Sequence, residues 1–313
     1  MFDNLKYSYY PPSRLTIGCE PLGGTDWGEY DISEVRKTIA MAIDYGITSF
    51  DTADVYGLGK SEEELSKALG GNRHKAFIIS KFGIRWEKRN QSSRSKTYKD
   101  SSPKYIKCAL ENSLKRLRIE AIPLYIVHWP DSKISNDLVM DCLEHLRISG
   151  KILNYGVSNF DINSTKSLSR SWQLSSIQDS FNILDYKKQL PIFKNARALA
   201  LSTFSYGTLA QGLLSNKFTS GVKFSKNDRR SRLHNFKKEN WLENKKILER
   251  LDLISKKYSK TSSSTAIRWA LDSGYIDSAI VGVKNVNQLK DNINSLNWKL
   301  KKEDFKFLST GYE

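Results

Sequence analysis

Nowhere do the 313 residues run apolar for the roughly 20 positions that a membrane-spanning helix needs. The first stretch, MFDNLKYSYYPPSR, has neither a basic start nor an apolar h-region, so a soluble, unprocessed protein is expected. Cysteine is scarce. Cys19, Cys108 and Cys142 are odd in number, widely spaced and without a C-x-x-C pair, which argues against a disulfide framework and a zinc site and fits a reducing, cytoplasmic compartment. His74, His145 and His234 are isolated, and no metal site is expected. There is no G-x-G-x-x-G, and the GLGKS at Gly57–Ser61 ends like a phosphate loop but has Asp54 where the first glycine must stand. A P-loop nucleotidase and a Rossmann dehydrogenase are thereby disfavoured. Acidic residues are in the minority, 34 against 50 Lys plus Arg, for a formal charge of +16. That excess permits an acidic partner without choosing among nucleic acid, headgroups and a phosphorylated small molecule. No nucleic-acid motif accompanies it, so neither nucleic acid nor membrane is expected as a partner.

What is present is alternation. Short runs rich in β-branched and aromatic residues lie at Leu15–Gly18, Thr48–Phe50, Phe77–Ser80, Leu124–Val127, Tyr155–Val157, Ser176–Gln178, Leu199–Thr203 and Ala279–Val281. Stretches of helical period separate them. Val35, Ile39, Ala42 and Ile43 share one face behind a Ser33 cap; Ser61 and Glu64 are spaced as a capping box; Ile106, Leu110, Leu114 and Leu117 form a stripe after Pro103. Val139, Cys142, Leu143 and Leu146 form another, and helices are expected over Trp241–Tyr258, Ser262–Asp272 and Val286–Leu296. Helix-length connections return a chain to lay parallel neighbours, so eight such units predict a (β/α)8 TIM barrel, with a doubly wound open sheet as the alternative. Residues 1–313 read as one domain; the polar stretches Arg85–Ser102 and Ser215–Asn240 read as long loops within it.

In a parallel barrel, function gathers at the carboxyl ends of the strands. There stand Asp51 and then Tyr56, Lys81, His128, Ser158 with Asn159, and Gln178. An unperturbed tyrosine, with a pKa near 10, is a poor proton donor to a carbonyl oxygen at neutral pH. A neighbouring ammonium would bring it toward working range, and a carboxylate would hold that ammonium ionised. Tyr56, Lys81 and Asp51 suit such a relay, with His128 directing the substrate oxygen. A satisfied polar network at the barrel mouth would leave the same pattern.

FDTADVYG, ISKFG, LYIVHWPD, GKILNYGVSNF, YGTLAQGLLSNKF and AIVGVKNVNQLKDN occur in order from about Leu15 to the C-terminus. On these six blocks the chain resembles the aldo-keto reductases, in their short bacterial branch. The resemblance implies a (β/α)8 barrel that binds NADP(H) without a Rossmann fold and passes hydride to an aldehyde or ketone. It makes Tyr56 the general acid, Lys81 and Asp51 its tuning pair, and His128 the carbonyl-orienting residue. Ser158, Asn159 and Gln178 match positions that hold the carboxamide, and Tyr206 the aromatic that stacks on the nicotinamide. Gly282, Lys284, Gln288 and Asn292 fall where the family grips the adenosine 2′-phosphate and adenine. Lys284 favours NADPH over NADH, although Val281, Val283 and Asp291 depart from common family residues.

Trp27, Trp86 and Trp129 follow strands one, three and four, where relatives wall the substrate pocket, and would suit a sugar ring or an aryl aldehyde. Arg85, Lys88, Arg89, Arg94, Lys96 and Lys99 crowd one long loop, and Arg229, Arg230, Arg232, Lys237 and Lys238 the other. These are expected to raise the potential at the mouth, favouring NADPH and a phosphorylated or nucleotide-linked carbonyl. A catalytically silent NADP(H)-binding redox sensor is the competing functional class. The physiological substrate and the oligomeric state are not encoded in these patterns.

Overall fold

The computed structural model describes residues 11–86, 95–218, 222–226 and 228–310. Eight parallel strands close into a barrel: β1 (Leu15–Gly18), β2 (Ser49–Asp51), β3 (Phe77–Phe82), β6 (Leu124–Val127), β7 (Tyr155–Ser158), β8 (Ser176–Ser180), β9 (Ser202–Tyr206) and β10 (Ser278–Gly282). Around the barrel the order is β1-β10-β9-β8-β7-β6-β3-β2. The remaining two strands, β4 (Ile84–Trp86) and β5 (Thr97–Lys99), pair antiparallel as a separate hairpin beyond β3. Helices α1 (Ile32–Asp44), α2 (Lys60–Leu69), α3 (Pro103–Leu117), α4 (Asn136–Ile148), α5 (Ile162–Ser171), α6 (Tyr186–Ala198), α7 (Trp241–Lys257), α8 (Ser262–Asp272), α9 (Val286–Ile293) and α10 (Lys302–Thr310) complete the described elements.

The two-residue period of the pleat decides what faces inward. Phe77, Ile79, Leu124, Ile126, Phe204 and Ile280 fill the barrel interior. Their neighbours Ile78, Phe82, Tyr125, Val127, Ala279 and Val281 point outward, into the core shared with the helices. Continuing the same alternation brings Asp51, Lys81, His128, Ser158, Gln178, Tyr206 and Gly282 inward at or just past the last residue of their strands. The barrel thus turns from apolar to polar at its carboxyl end, and that change locates the cleft.

Several local expectations are corrected. The seventh barrel strand is Ser202–Tyr206 rather than Leu199–Thr203, because α6 runs to Ala198, Leu199 closes it, and Ala200 reverses the chain at φ +52°. Asp31, not Ser33, caps α1; its carboxylate accepts from the Ser33 backbone N–H at 2.7 Å. Ser61 and Glu64 form no capping box. The Ser61 hydroxyl is buried in a tertiary tie, donating to Cys19 O at 2.7 Å, while Glu64 pairs with Arg36 and Lys67. The stretch Arg85–Ser102 carries the β4–β5 hairpin. The stretch 215–240 holds three short 3-10 turns over a small aromatic core of Phe218, Phe224 and Phe236. Lys88, Arg89 and Arg94 lie outside the described residues.

Candidate active site

Lys81 ends its inward run within the barrel with only 1% of its side chain exposed, and Nζ donates to Asp51 Oδ1 and to the Thr52 carbonyl, each at 2.7 Å. Gln178 Nε2 donates to the other Asp51 oxygen at 2.7 Å, so both carboxylate oxygens have partners. A buried ion pair with these extra hydrogen bonds is held in one geometry. Tyr56, in the loop after β2, lies with its ring centroid 5.1 Å from Lys81 Nζ and meets the His128 ring edge-on at 5.8 Å.

Gly57 makes that position of Tyr56 available. Its φ is +58°, and a Cβ there would lie 2.3 Å from the Gly23 carbonyl oxygen, so only glycine lets the loops after β1 and β2 touch backbone to backbone.

Burial pushes the Tyr56 phenol well above its ordinary value, and the charges of Glu20 and Asp51 add to the rise while Arg229 opposes it. The sequence-based expectation was a lowering by Lys81. The net shift has the opposite sign, because the phenol is withdrawn from water and the Glu20 and Asp51 charges oppose its ionisation. Tyr56 therefore stands as a neutral phenol. Burial, with Lys81 and Arg229 nearby, pushes His128 well below its ordinary value, so it stands as a neutral imidazole. Its Nδ1 is buried without a partner among the described residues.

The expected carboxamide residues contact one another. Asn159, in the left-handed region at φ +63°, donates from Nδ2 to His128 O and Ser158 Oγ, each at 2.9 Å, and its Oδ1 accepts from the Tyr206 hydroxyl at 2.7 Å. At the far end of the cleft, Gln288 Oε1 accepts from the Lys284 backbone N–H at 2.9 Å, and the Asn292 amide nitrogen is buried without a partner. Lys284 Nζ donates to Trp27 O at 2.6 Å and lies 4.6 Å from the Tyr30 ring centroid. Burial lowers its pKa.

All these groups except Lys81 line or adjoin one cleft of about 470 Å³, together with Trp27 and Trp129. Trp86, on the hairpin, is not in its wall. Among the residues outside the expected site set that also line it are Glu20 and Arg229. Glu20, two positions past β1, accepts from Arg229 Nη1 at 2.7 Å. Reading the carboxyl end of the first strand as the others are read would have found Glu20. Nothing local marks Arg229 among its basic neighbours. Around this pair the loops after β1 and β9 are joined: Asp26 bridges to Asp228, the Arg229 backbone N–H donates to Asp26 O at 2.9 Å, and Arg230 grips Asp228 through both carboxylate oxygens.

A neutral phenol beside a buried ammonium–carboxylate pair, with a neutral imidazole edge-on to it, can hand a proton to a carbonyl oxygen. The chain belongs to the Aldo/keto reductase family, whose sequence model matches residues 14–310. The family uses nicotinamide cofactors on small-molecule carbonyls. The chain is 34% identical over 301 residues to Aldo-keto reductase YhdN of Bacillus subtilis, covering 95% of this chain and 89% of that one. It is 28% identical to Aldo-keto reductase yakc [NADP(+)] of Schizosaccharomyces pombe over 85% of this chain and 78% of that one. Among solved structures, the glycerol dehydrogenase AKR11B4 from Gluconobacter oxydans superposes with a TM-score of 0.87 at 33% identity, covering 95% of this chain and 90% of that one.

Proposed function

We propose that the protein reduces an aldehyde or ketone to the alcohol with NADPH, using Tyr56 as the general acid. The observation that carries this reading is the convergence of Tyr56, Lys81, Asp51 and His128 at one end of the cleft, with Lys81 Nζ 2.7 Å from Asp51 and 5.1 Å from the Tyr56 ring centroid.

The residues fit the cofactor. A buried Asn292 amide nitrogen without a partner, a cation at Lys284 and an aromatic at Tyr206 stand along one cleft. Ser158, Asn159, Gln178 and Tyr206 would hold the nicotinamide end, and Gly282, Lys284, Gln288 and Asn292 the adenosine end, where a 2′-phosphate needs positive charge. Bound NADPH supplies the hydride. The chain does the rest: His128 orients the carbonyl oxygen, Tyr56 gives its hydroxyl proton to that oxygen as negative charge develops, and Lys81, fixed by Asp51, stabilises the phenolate left behind. A phenol with a raised pKa is a weak acid at rest, so proton transfer is favoured only once the oxyanion forms. The NADP(+) in the name of the fission-yeast relative and the polyol of the glycerol dehydrogenase support this reading.

The deciding experiment is Tyr56→Phe. NADPH binding, followed by quenching of intrinsic fluorescence, should persist, while kcat for 4-nitrobenzaldehyde falls by about 10²–10⁴. Unchanged turnover would overturn the mechanism.

A further inference from the structure

Glu20 and Arg229 form an ion pair in the wall of the catalytic end of the cleft. Their position is bracketed by neighbours: both charges act on the Tyr56 phenol, the Arg229 charge also reaches His128, and the Arg229 guanidinium lies 5.4 Å from the Trp27 ring centroid. They therefore border the place where a carbonyl directed by Tyr56 and His128 would sit.

The pair is not required to join the two loops. The Arg229 backbone N–H on Asp26 and the Arg230–Asp228 grip already do so. Drawing a carboxylate and a guanidinium partly out of water is costly unless their remaining hydrogen-bonding capacity is used. Glu20 accepts from Arg229 and is also within hydrogen-bonding reach of the Trp27 side chain, whereas a carboxylate can accept about four bonds; a guanidinium has five N–H donors. Surplus acceptors and surplus donors thus stand side by side at a wall with no net charge.

A hydroxyl, which donates and accepts, matches such a wall. A phosphate or carboxylate would gain Arg229 but meet Glu20, and an ammonium would meet the reverse. Of the neighbouring cations, Arg230 is paired with Asp228 and Arg232 approaches Asp26 at 3.4 Å, while Lys217 and Lys284 also line the cleft. Trp27 and Trp129 add aromatic faces suited to the C–H surface of a polyol.

We propose that Glu20 and Arg229 are specificity-determining residues that read hydroxyl groups next to the reacting carbonyl, so that the preferred substrate is a neutral, polyhydroxylated aldehyde or ketone rather than a phosphorylated one. This rests on the reductase reading above.

The test is the ratio of kcat/KM for D-glyceraldehyde to that for propanal, with NADPH, in the wild type and in Glu20→Gln, Glu20→Leu and Glu20→Asp. Aldehyde hydration is the same for every variant and cancels when ratios are compared. The wild type should favour the hydroxylated aldehyde. Glu20→Gln and Glu20→Leu should lower the ratio by at least about tenfold, mainly through KM for glyceraldehyde, and Glu20→Asp should restore part of it. NADPH binding and thermal melting establish folding, and Glu20→Gln and Glu20→Asp carry the test if Glu20→Leu fails to fold. A proportional loss with both aldehydes, or a wild-type preference for D-glyceraldehyde 3-phosphate over D-glyceraldehyde, overturns the proposal. Turnover of 4-nitrobenzaldehyde without a change in ratio overturns this proposal alone; no turnover of any carbonyl overturns the reductase reading with it.

Discussion

Lys81 and Asp51 are nearly inaccessible to water, and that makes their separate contributions measurable. Removing one partner leaves the other buried without its counter-charge, a loss of about 3–5 kcal/mol. Lys81→Met should therefore lower both stability in urea and turnover, the latter by about 10²–10⁴. Adding Asp51→Leu should recover part of the stability and none of the activity, which separates the proton relay from the fold. Asp54 behaves oppositely. It is fully buried, its Oδ2 accepts from the Tyr105 hydroxyl at 3.4 Å, the Val55 backbone N–H also bonds the carboxyl, and burial followed by the Glu62 charge raises its pKa well above the ordinary value. A raised carboxyl keeps its proton in the folded state while the unfolded chain releases it, so stability falls as pH rises above the unfolded value near 3.9. Asp54→Asn should thus stabilise the protein, and the gain in Tm should be larger at neutral pH than near pH 4. A gain that does not change with pH would show that Asp54 is ionised in the fold.

Among elements, the loops after β1, β2 and β9 complete the site that the strand ends begin. Gly57→Ala places a methyl group against the Gly23 backbone in a conformation with positive φ. It should destabilise by about 1–3 kcal/mol and lower kcat, since Tyr56 precedes it directly. Asp228→Ala removes the partner that Arg230 grips with both oxygens and loosens the tie to Asp26. Trypsin cleavage at Arg229, Arg230 and Arg232 should quicken several-fold, read by the rate of fragment appearance. Strands and most helices were legible in sequence because burial imposes a period. Caps were less so: Ser61 and Glu64 have the spacing of a capping box, yet tertiary partners at Cys19 and Arg36 take their side chains.

For the molecule as a whole, the charge of +16 is less available than its total suggests. Arg229, Arg230 and Arg232 pair with Glu20, Asp228 and Asp26 in the loop expected to draw anions. Raising the salt from about 20 to 300 mM should then raise KM for NADPH, a polyanion steered by the long-range field, and leave KM for a neutral aldehyde nearly constant. Equal salt dependence for both would point to a general loosening of the cleft. Among the described residues no helix is long and apolar enough to cross a membrane.

The sequence by itself determined the barrel and the identity of the polar residues at its carboxyl end. Strand and helix periods are local, and in a closed parallel sheet the last inward residues must meet. Only the tertiary structure decided how those residues share their hydrogen bonds. The sign of the Tyr56 shift depends on burial and on charges from four different loops or strands. The Glu20–Arg229 pair joins positions 209 residues apart, and its meaning depends on the cleft between them. Charge seen in sequence is a sum, whereas charge in a folded protein is a set of partners fixed by distance.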